Sequence, residues 1–146
     1  MSALIRLAVP EDAAALTRLN REEMGYDYPE EDTKRQLEKL LADESNRIYV
    51  AESDGAVVGY VHANNYDLLY APHMKNIMGI AVSSGFRRGG IGRLLLEAVE
   101  QWAEKTGACG VRLVSGASRT GAHDFYRACG YQEAKDQKNF KKLFAD

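Results

Sequence analysis

The stretch from Met78 to Leu96, Met-Gly-Ile-Ala-Val-Ser-Ser-Gly-Phe-Arg-Arg-Gly-Gly-Ile-Gly-Arg-Leu-Leu-Leu, constrains this chain more than any other. It reads as a buried strand, a tight glycine-rich loop carrying Arg87 and Arg88, and the first turns of an amphipathic helix. Ile91, Leu94, Leu95, Ala98 and Trp102 recur at intervals of three and four residues, a helical period with one apolar face. The loop therefore ends at a helix N-terminus, where the first amides lack intrahelical partners and the macrodipole is positive. Gly89, Gly90 and Gly92 have no side chain to hold an anion away from the backbone. In outline this is a phosphate cradle.

Its details narrow the ligand. A P-loop requires Gly-Lys-Ser/Thr, which is absent, and a dinucleotide fingerprint requires a third small residue where Leu95 stands. A plain glycine-rich turn leading into a core helix remains as the structural reading. Arg87-x-x-Gly90-x-Gly92 resembles the Gln/Arg-x-x-Gly-x-Gly/Ala pyrophosphate loop of the GNAT-type N-acetyltransferase superfamily. A second block, Ala122-His123-Asp124-Phe125-Tyr126-Arg127-Ala128-Cys129-Gly130-Tyr131, is similar to the superfamily's closing Ala-x-x-Phe-Tyr-x-x-x-Gly-Phe/Tyr signature. The two blocks stand in the family's order with one strand between them, and with the element order they extend the resemblance over nearly the whole chain.

Around these blocks the residues predict a mixed α/β chain of order βααβββαβαββ. Leu4 to Ala8 is a first strand, and Pro10-Glu11-Asp12 opens a helix through Ala14, Leu16 and Leu19. Pro29 starts a second helix that runs to about Asp43. Arg47 to Ser53 and Ala56 to Asn64 are strands joined by Asp54-Gly55, a dipeptide suited to a two-residue hairpin turn. Asn65 to His73 reads as a polar, aromatic loop, and Met74 to Val82 as the strand feeding the phosphate loop, with a bulge or close approach at Gly79. Gly107 ends the long helix, Val111 to Ser115 is a strand, Gly121 to about Ala128 a helix, and Tyr131 to Lys135 with Asn139 to Leu143 a last hairpin. The resemblance implies one domain over residues 1–146, with a mostly antiparallel sheet of six to seven strands, about four flanking helices, and a splayed strand pair at the cofactor site.

The 146 residues suffice for one core, and 45% hydrophobic with 27% charged residues is ordinary globular material. No apolar run reaches a membrane span or a signal peptide, so the expected location is cytoplasmic with no membrane partner. The net charge of −2 and the lack of a basic face argue against nucleic acid. Cys109 and Cys129 lack metal-ligand spacing and read as buried reduced thiols, so no metal is expected.

The resemblance implies an acetyl-CoA-dependent enzyme in which a neutral primary amine, on a small molecule or a peptide, attacks the thioester through a tetrahedral intermediate. Arg87, Arg88, Gly89, Gly90, Ile91, Gly92 and Arg93 would hold the pyrophosphate. Ile80, Ala81 and Val82 would pair their main chain with the extended arm, and Arg119 and Phe125 complete the cofactor set. By the resemblance Tyr126 occupies the family's general-acid position, and a phenol with an ordinary pKa near 10 stays protonated at neutral pH and can donate to the sulfur. The amide of Val82 or its neighbour is the expected oxyanion donor.

Two positions depart from the family pattern. Met78, Gly79, Ile80 and Ala81 include no carboxylate where many members carry a Glu base, and Arg119 stands where many carry Asn. A water chain ending at His73, Asp67 or His123 is one substitute, although solvated or capping roles suit these residues as well, and His62 reads as structural. From Arg21 to Glu44 nine acids face four bases, a local charge of −5. In the family this region covers the acceptor, so Tyr26, Tyr28 and His73 are the expected substrate-binding residues and a cationic amine the expected acceptor. An ordinary solvated helix face explains the same charges. A catalytically silent acyl-CoA-binding module is the alternative function, and the oligomeric state, a homodimer included, is left open.

Overall fold

Asp54 and Gly55 both take positive φ, 50° and 80°, the geometry a two-residue hairpin turn requires. The strands they join form the middle of a five-stranded sheet. The computed structural model describes residues 3–145. In chain order its elements are β1 (Leu4–Leu7), α1 (Ala13–Met24, after a 3-10 turn at Pro10–Asp12), α2 (Glu30–Leu41), β2 (Asn46–Ser53), β3 (Ala56–Leu68), β4 (Ala71–Val82), α3 (Ile91–Lys105), β5 (Val111–Leu113) and α4 (Thr120–Ala128). The strands lie side by side as β1-β2-β3-β4-β5. All neighbours are antiparallel except β4 and β5, which are parallel.

The chain divides after Leu113 into two compact units. In the first, α1 and α2 bury Leu16, Leu19 and Leu37 with Ile48, Val50, Tyr60 and Ala81 of the sheet. Helix α3 packs on the sheet too, and its Leu95, Leu96 and Val99 are fully buried. Gly59 sets its approach: a Cβ there would meet the Ala81 carbonyl oxygen at 3.1 Å and the Leu95 side chain at 3.3 Å. Gly25 ends α1 and Gly107 follows α3, both in the left-handed region with φ of 76° and 79°. The second unit is built on α4.

The class is the mixed α/β one expected, with four helices, but five strands among the described residues instead of six to seven. Two expectations fail for physical reasons. Residues 65–68 and 71–73 are paired strand, not loop: Asn65 stands opposite Lys75 and Tyr66 opposite Met74. Their polar side chains, which read as solvated, are engaged within the sheet, where Lys75 Nζ donates to Asn65 Oδ1 at 2.6 Å and the Arg112 guanidinium lies 4.2 Å from the Tyr66 ring centre. The last hairpin, Tyr131 to Lys135 with Asn139 to Leu143, is not formed. Phe140, Leu143 and Phe144 are exposed, and a two-stranded ribbon with nothing to bury its apolar face is marginal in water. Arg127 instead ties Glu133 back to α4 through a 2.9 Å ion pair.

Candidate active site

Strand β4 changes character at one residue. Gly79 pairs with His62 and Ile77 with Ala63, so Met78 is the extra residue of a bulge, next to the glycine that the sequence marked. Before the bulge β4 is paired on both sides, because Lys75, Asn76 and Ile77 also face Val111, Arg112 and Leu113 of β5. After it, among the described residues, β4 has only β3 as a neighbour. The Ser83 amide donates to the Val58 carbonyl at 2.8 Å. By antiparallel alternation Ala81 then exchanges its bonds with Tyr60, while Ile80 and Val82 turn their N–H and C=O groups away from β3. That edge is open to an extended ligand with amide groups of its own.

The open edge runs into the glycine-rich loop. A short 3-10 turn, Ser84–Phe86, leads to Arg88 and Gly90, both left-handed at φ 70° and 85°. Gly90 is the N-cap of α3, and its carbonyl accepts the first helical bond from Leu94 at 3.0 Å. Arg87, Arg88, Gly89 and Gly90 are exposed, Gly92 is half-buried, and Ile91 is buried as the first core contact of the helix. The α3 terminus is thus presented to solvent beside exposed arginines, an arrangement that attracts an anion.

Around this end stand residues that no motif announced. Glu23, near the end of α1, accepts from the Ser84 amide at 3.1 Å and from Arg87 Nη2 at 2.5 Å. Arg87 Nε lies 3.4 Å from the Val82 carbonyl oxygen. The Tyr60 hydroxyl donates to Asn20 Oδ1 and would touch a Cβ on Gly79 at 3.4 Å. Burial pushes the Tyr60 phenol up to about 12, so it stays neutral at physiological pH. Tyr26 and Tyr28 are exposed in the segment between α1 and α2.

His73 lies at the opposite end of β4, nine residues before Val82 and roughly 30 Å away at the usual strand rise. Its Nδ1 donates to Asp67 at 2.7 Å, which leaves Nε2 to accept from Lys75 Nζ at 2.9 Å. His62 bonds Asn46 at 2.8 Å, and burial holds its pKa below the usual value, in keeping with a structural role.

In the second unit α4 carries Phe125 and Tyr126, both half-buried, and Arg119 at its N-cap. Tyr126 packs edge-on to Tyr131 at 6.3 Å and against Phe125 at 5.4 Å between ring centres. Burial raises its phenol above the ordinary value, with Arg119 opposing. His123 Nε2 lies 2.9 Å from the Gly116 carbonyl oxygen, a capping arrangement. Cys109 is exposed and Cys129 half-buried, both unbridged, so the expectation of two buried thiols is corrected for Cys109, which lies in the turn leaving α3.

The sequence pattern that defines the acetyltransferase (GNAT) family matches residues 13–131, which span the open strand edge, the glycine-rich loop and the Phe-Tyr helix. The chain belongs to the acetyltransferase (GNAT) family. Among GNAT relatives, an aminoglycoside N(6')-acetyltransferase type 1 of Stenotrophomonas maltophilia is 29% identical over 90% of this chain and 87% of its own length. An N-alpha-acetyltransferase of Sulfurisphaera tokodaii is 29% identical over 93% and 84%. The solved structure of the acetyltransferase AAC(6')-Iy, in complex with a bisubstrate analogue, CoA-S-monomethyl-acetylneamine, superimposes with a TM-score of 0.87. It covers 98% of this chain and 99% of that one at 19% identity, a likeness of fold. Membership makes this GNAT chain an N-acetyltransferase. No helix among its described residues is long and apolar enough to cross a membrane.

Proposed function

We propose that this chain, acting as a single domain over residues 1–146, transfers the acetyl group of acetyl-CoA to the primary amine of a small cationic molecule. The observation that carries the reading is the continuity of the open β4 edge at Ile80 and Val82 with the glycine-capped start of α3. The residues suit the cosubstrate: main-chain groups for an extended amide arm, then exposed glycines and arginines for a pyrophosphate. Acetyl-CoA supplies the activated thioester. The Val82 amide, directed away from β3, is placed to stabilise charge on the thioester oxygen as the amine attacks. Tyr126 donates its proton to the departing sulfur while the proton released by the amine nitrogen passes to solvent water, from which the phenol is restored, and its raised pKa keeps that proton available across the neutral range.

The acidic segment from Arg21 to Glu44, with Tyr26 and Tyr28, favours a cationic acceptor. The Stenotrophomonas relative is named for an aminoglycoside, itself a polycation, which supports a small-molecule amine over a peptide.

CoA release from acetyl-CoA in the presence of aminoglycosides, polyamines and peptides with free N-termini tests the reading, with turnover expected on at least one small cationic amine. Tight acetyl-CoA binding without turnover on any amine would leave a silent acyl-CoA-binding module, the alternative that the missing carboxylate at Met78–Ala81 favours. Tyr126→Phe is expected to lower turnover about 10- to 1,000-fold with little change in acetyl-CoA affinity. The wild-type activity should fall only above the ordinary phenol pKa, because burial raises that of Tyr126, and the Phe variant should lack this limb. An unchanged alkaline limb at full activity would remove Tyr126 from the mechanism.

A further inference from the structure

Glu23 belongs to neither sequence motif, yet its two carboxylate oxygens are divided between two points of the glycine-rich loop. One accepts from the Ser84 amide at the loop's entry and the other from Arg87 Nη2 three residues on, at 3.1 and 2.5 Å. The two partners differ in exposure: the Glu23 side chain is 9% exposed and that of Arg87 56%. The anchor is covered while the guanidinium remains turned to water. A free arginine on a loop would lose much rotamer freedom on closing over an anion, and one already held from behind loses less.

We propose that Glu23 is a positioning residue of the anion cradle, fixing the loop's entry through Ser84 and aiming Arg87 at the ligand. The proposal rests on the reading that this loop holds the pyrophosphate of CoA. It makes cosubstrate affinity depend on α1, the helix that leads into Tyr26 and Tyr28. The Glu23 charge by itself opposes an anion, but Arg87 neutralises it and stands between it and solvent, so the orienting effect is the larger. Arg87 keeps N–H donors beyond those committed to Glu23 and Val82, and a phosphate can take these in a forked contact.

Calorimetric titration of CoA into the full-length wild type, Glu23→Gln, Arg87→Gln and the double variant tests this. Glu23→Gln is isosteric, retains an acceptor for Ser84, and removes the charge that holds Arg87. CoA should bind it about three- to tenfold more weakly than wild type, and Arg87→Gln more weakly as well. In the Arg87→Gln background the Glu23 change should add less than about twofold, since coupled residues are non-additive. Near-UV circular dichroism checks the fold, and if Glu23→Gln does not fold, Glu23→Asp, whose shorter stem cannot reach both partners, carries the same expectation. Unchanged or tighter CoA binding by the Glu23 variant overturns the proposal, as does an equal loss in both backgrounds, which would mean that Glu23 acts through the fold and not through Arg87. Failure of the wild type to bind CoA would overturn the cosubstrate reading together with this proposal, whereas wild-type binding with no Glu23 effect would overturn this proposal alone.

Discussion

The two halves of β4 are built on opposite logics. Before the bulge, from Ala71 to Ile77, the strand pairs with β3, and from Lys75 to Ile77 with β5 as well, and its polar side chains satisfy one another: Asp67 with His73, His73 with Lys75, Lys75 with Asn65, Asn76 with Arg112. Lys75 is only 2% exposed, its ammonium completed by the Trp102 face at 4.0 Å. After the bulge the side chains are small or aliphatic, Gly79, Ile80, Ala81 and Val82, and the chemistry passes to the backbone. The half crowded with titratable groups has spent them on itself, and the half that looks chemically bare keeps its main chain open. A count of ionisable residues points to the opposite end of the strand from the proposed anion cradle.

The largest effect separating the halves is expected at Lys75. Lys75→Ala should lower stability by about 2–4 kcal/mol, because it opens space beside Trp102 and strips the partner from Asn65 and the half-buried His73. Chemical denaturation measures the loss, and CoA affinity of the folded fraction should stay within about twofold. A large fall in affinity with unchanged stability would erase the distinction between the halves. Gly92→Val should do the reverse and weaken CoA binding by about tenfold or more, roughly 1.4 kcal/mol, at nearly constant stability.

Tyr60 stands opposite Ala81, in the open half, and offers a pH test. Its pKa in the fold, about 12, exceeds the ordinary 10, so the unfolded chain releases the proton first as pH rises. Stability from this group is therefore whole below pH 10 and is lost as pH rises toward 12. Denaturation midpoints followed from pH 9 to 12 should show that loss, and Tyr60→Phe should flatten it. The smallest effect belongs to Asp67→Asn: the carboxylate is exposed and the amide oxygen can still accept from His73, so about 0.5 kcal/mol is expected, fading with added salt.

Much of this was readable from composition and spacing. The glycine-rich loop, the α3 period, the Asp54-Gly55 turn and the irregularity near Gly79 are local, and glycine with periodic apolar residues carries local information well. What escaped is pairing at a distance. Nothing in residues 20–25 says that Glu23 will meet Arg87, 64 positions later. The polar run from Asn65 to His73 read as loop because a residue bonded across a sheet has the same composition as one bonded to water. The C-terminal hairpin failed the other way: residues 131–135 and 139–143 read as two short runs joined by a polar turn, but a strand also needs a surface to lie on.

The extra residue in β4 also acts as a change of phase. Lys75, before it, lies against Trp102 of α3, while Gly79 and Ala81, after it and at the same odd positions, lie with Tyr60 and α1. The strand thus follows two side-chain alternations, and Met78 is the splice between them, its own side chain left outside. A deletion of this single codon would not be absorbed locally. One alternation would have to extend through the other, so the chain would either expel Lys75 from its ring of partners or turn the Ile80 and Val82 peptide groups inward toward β3. The open edge beyond it thus depends on the presence of one exposed methionine.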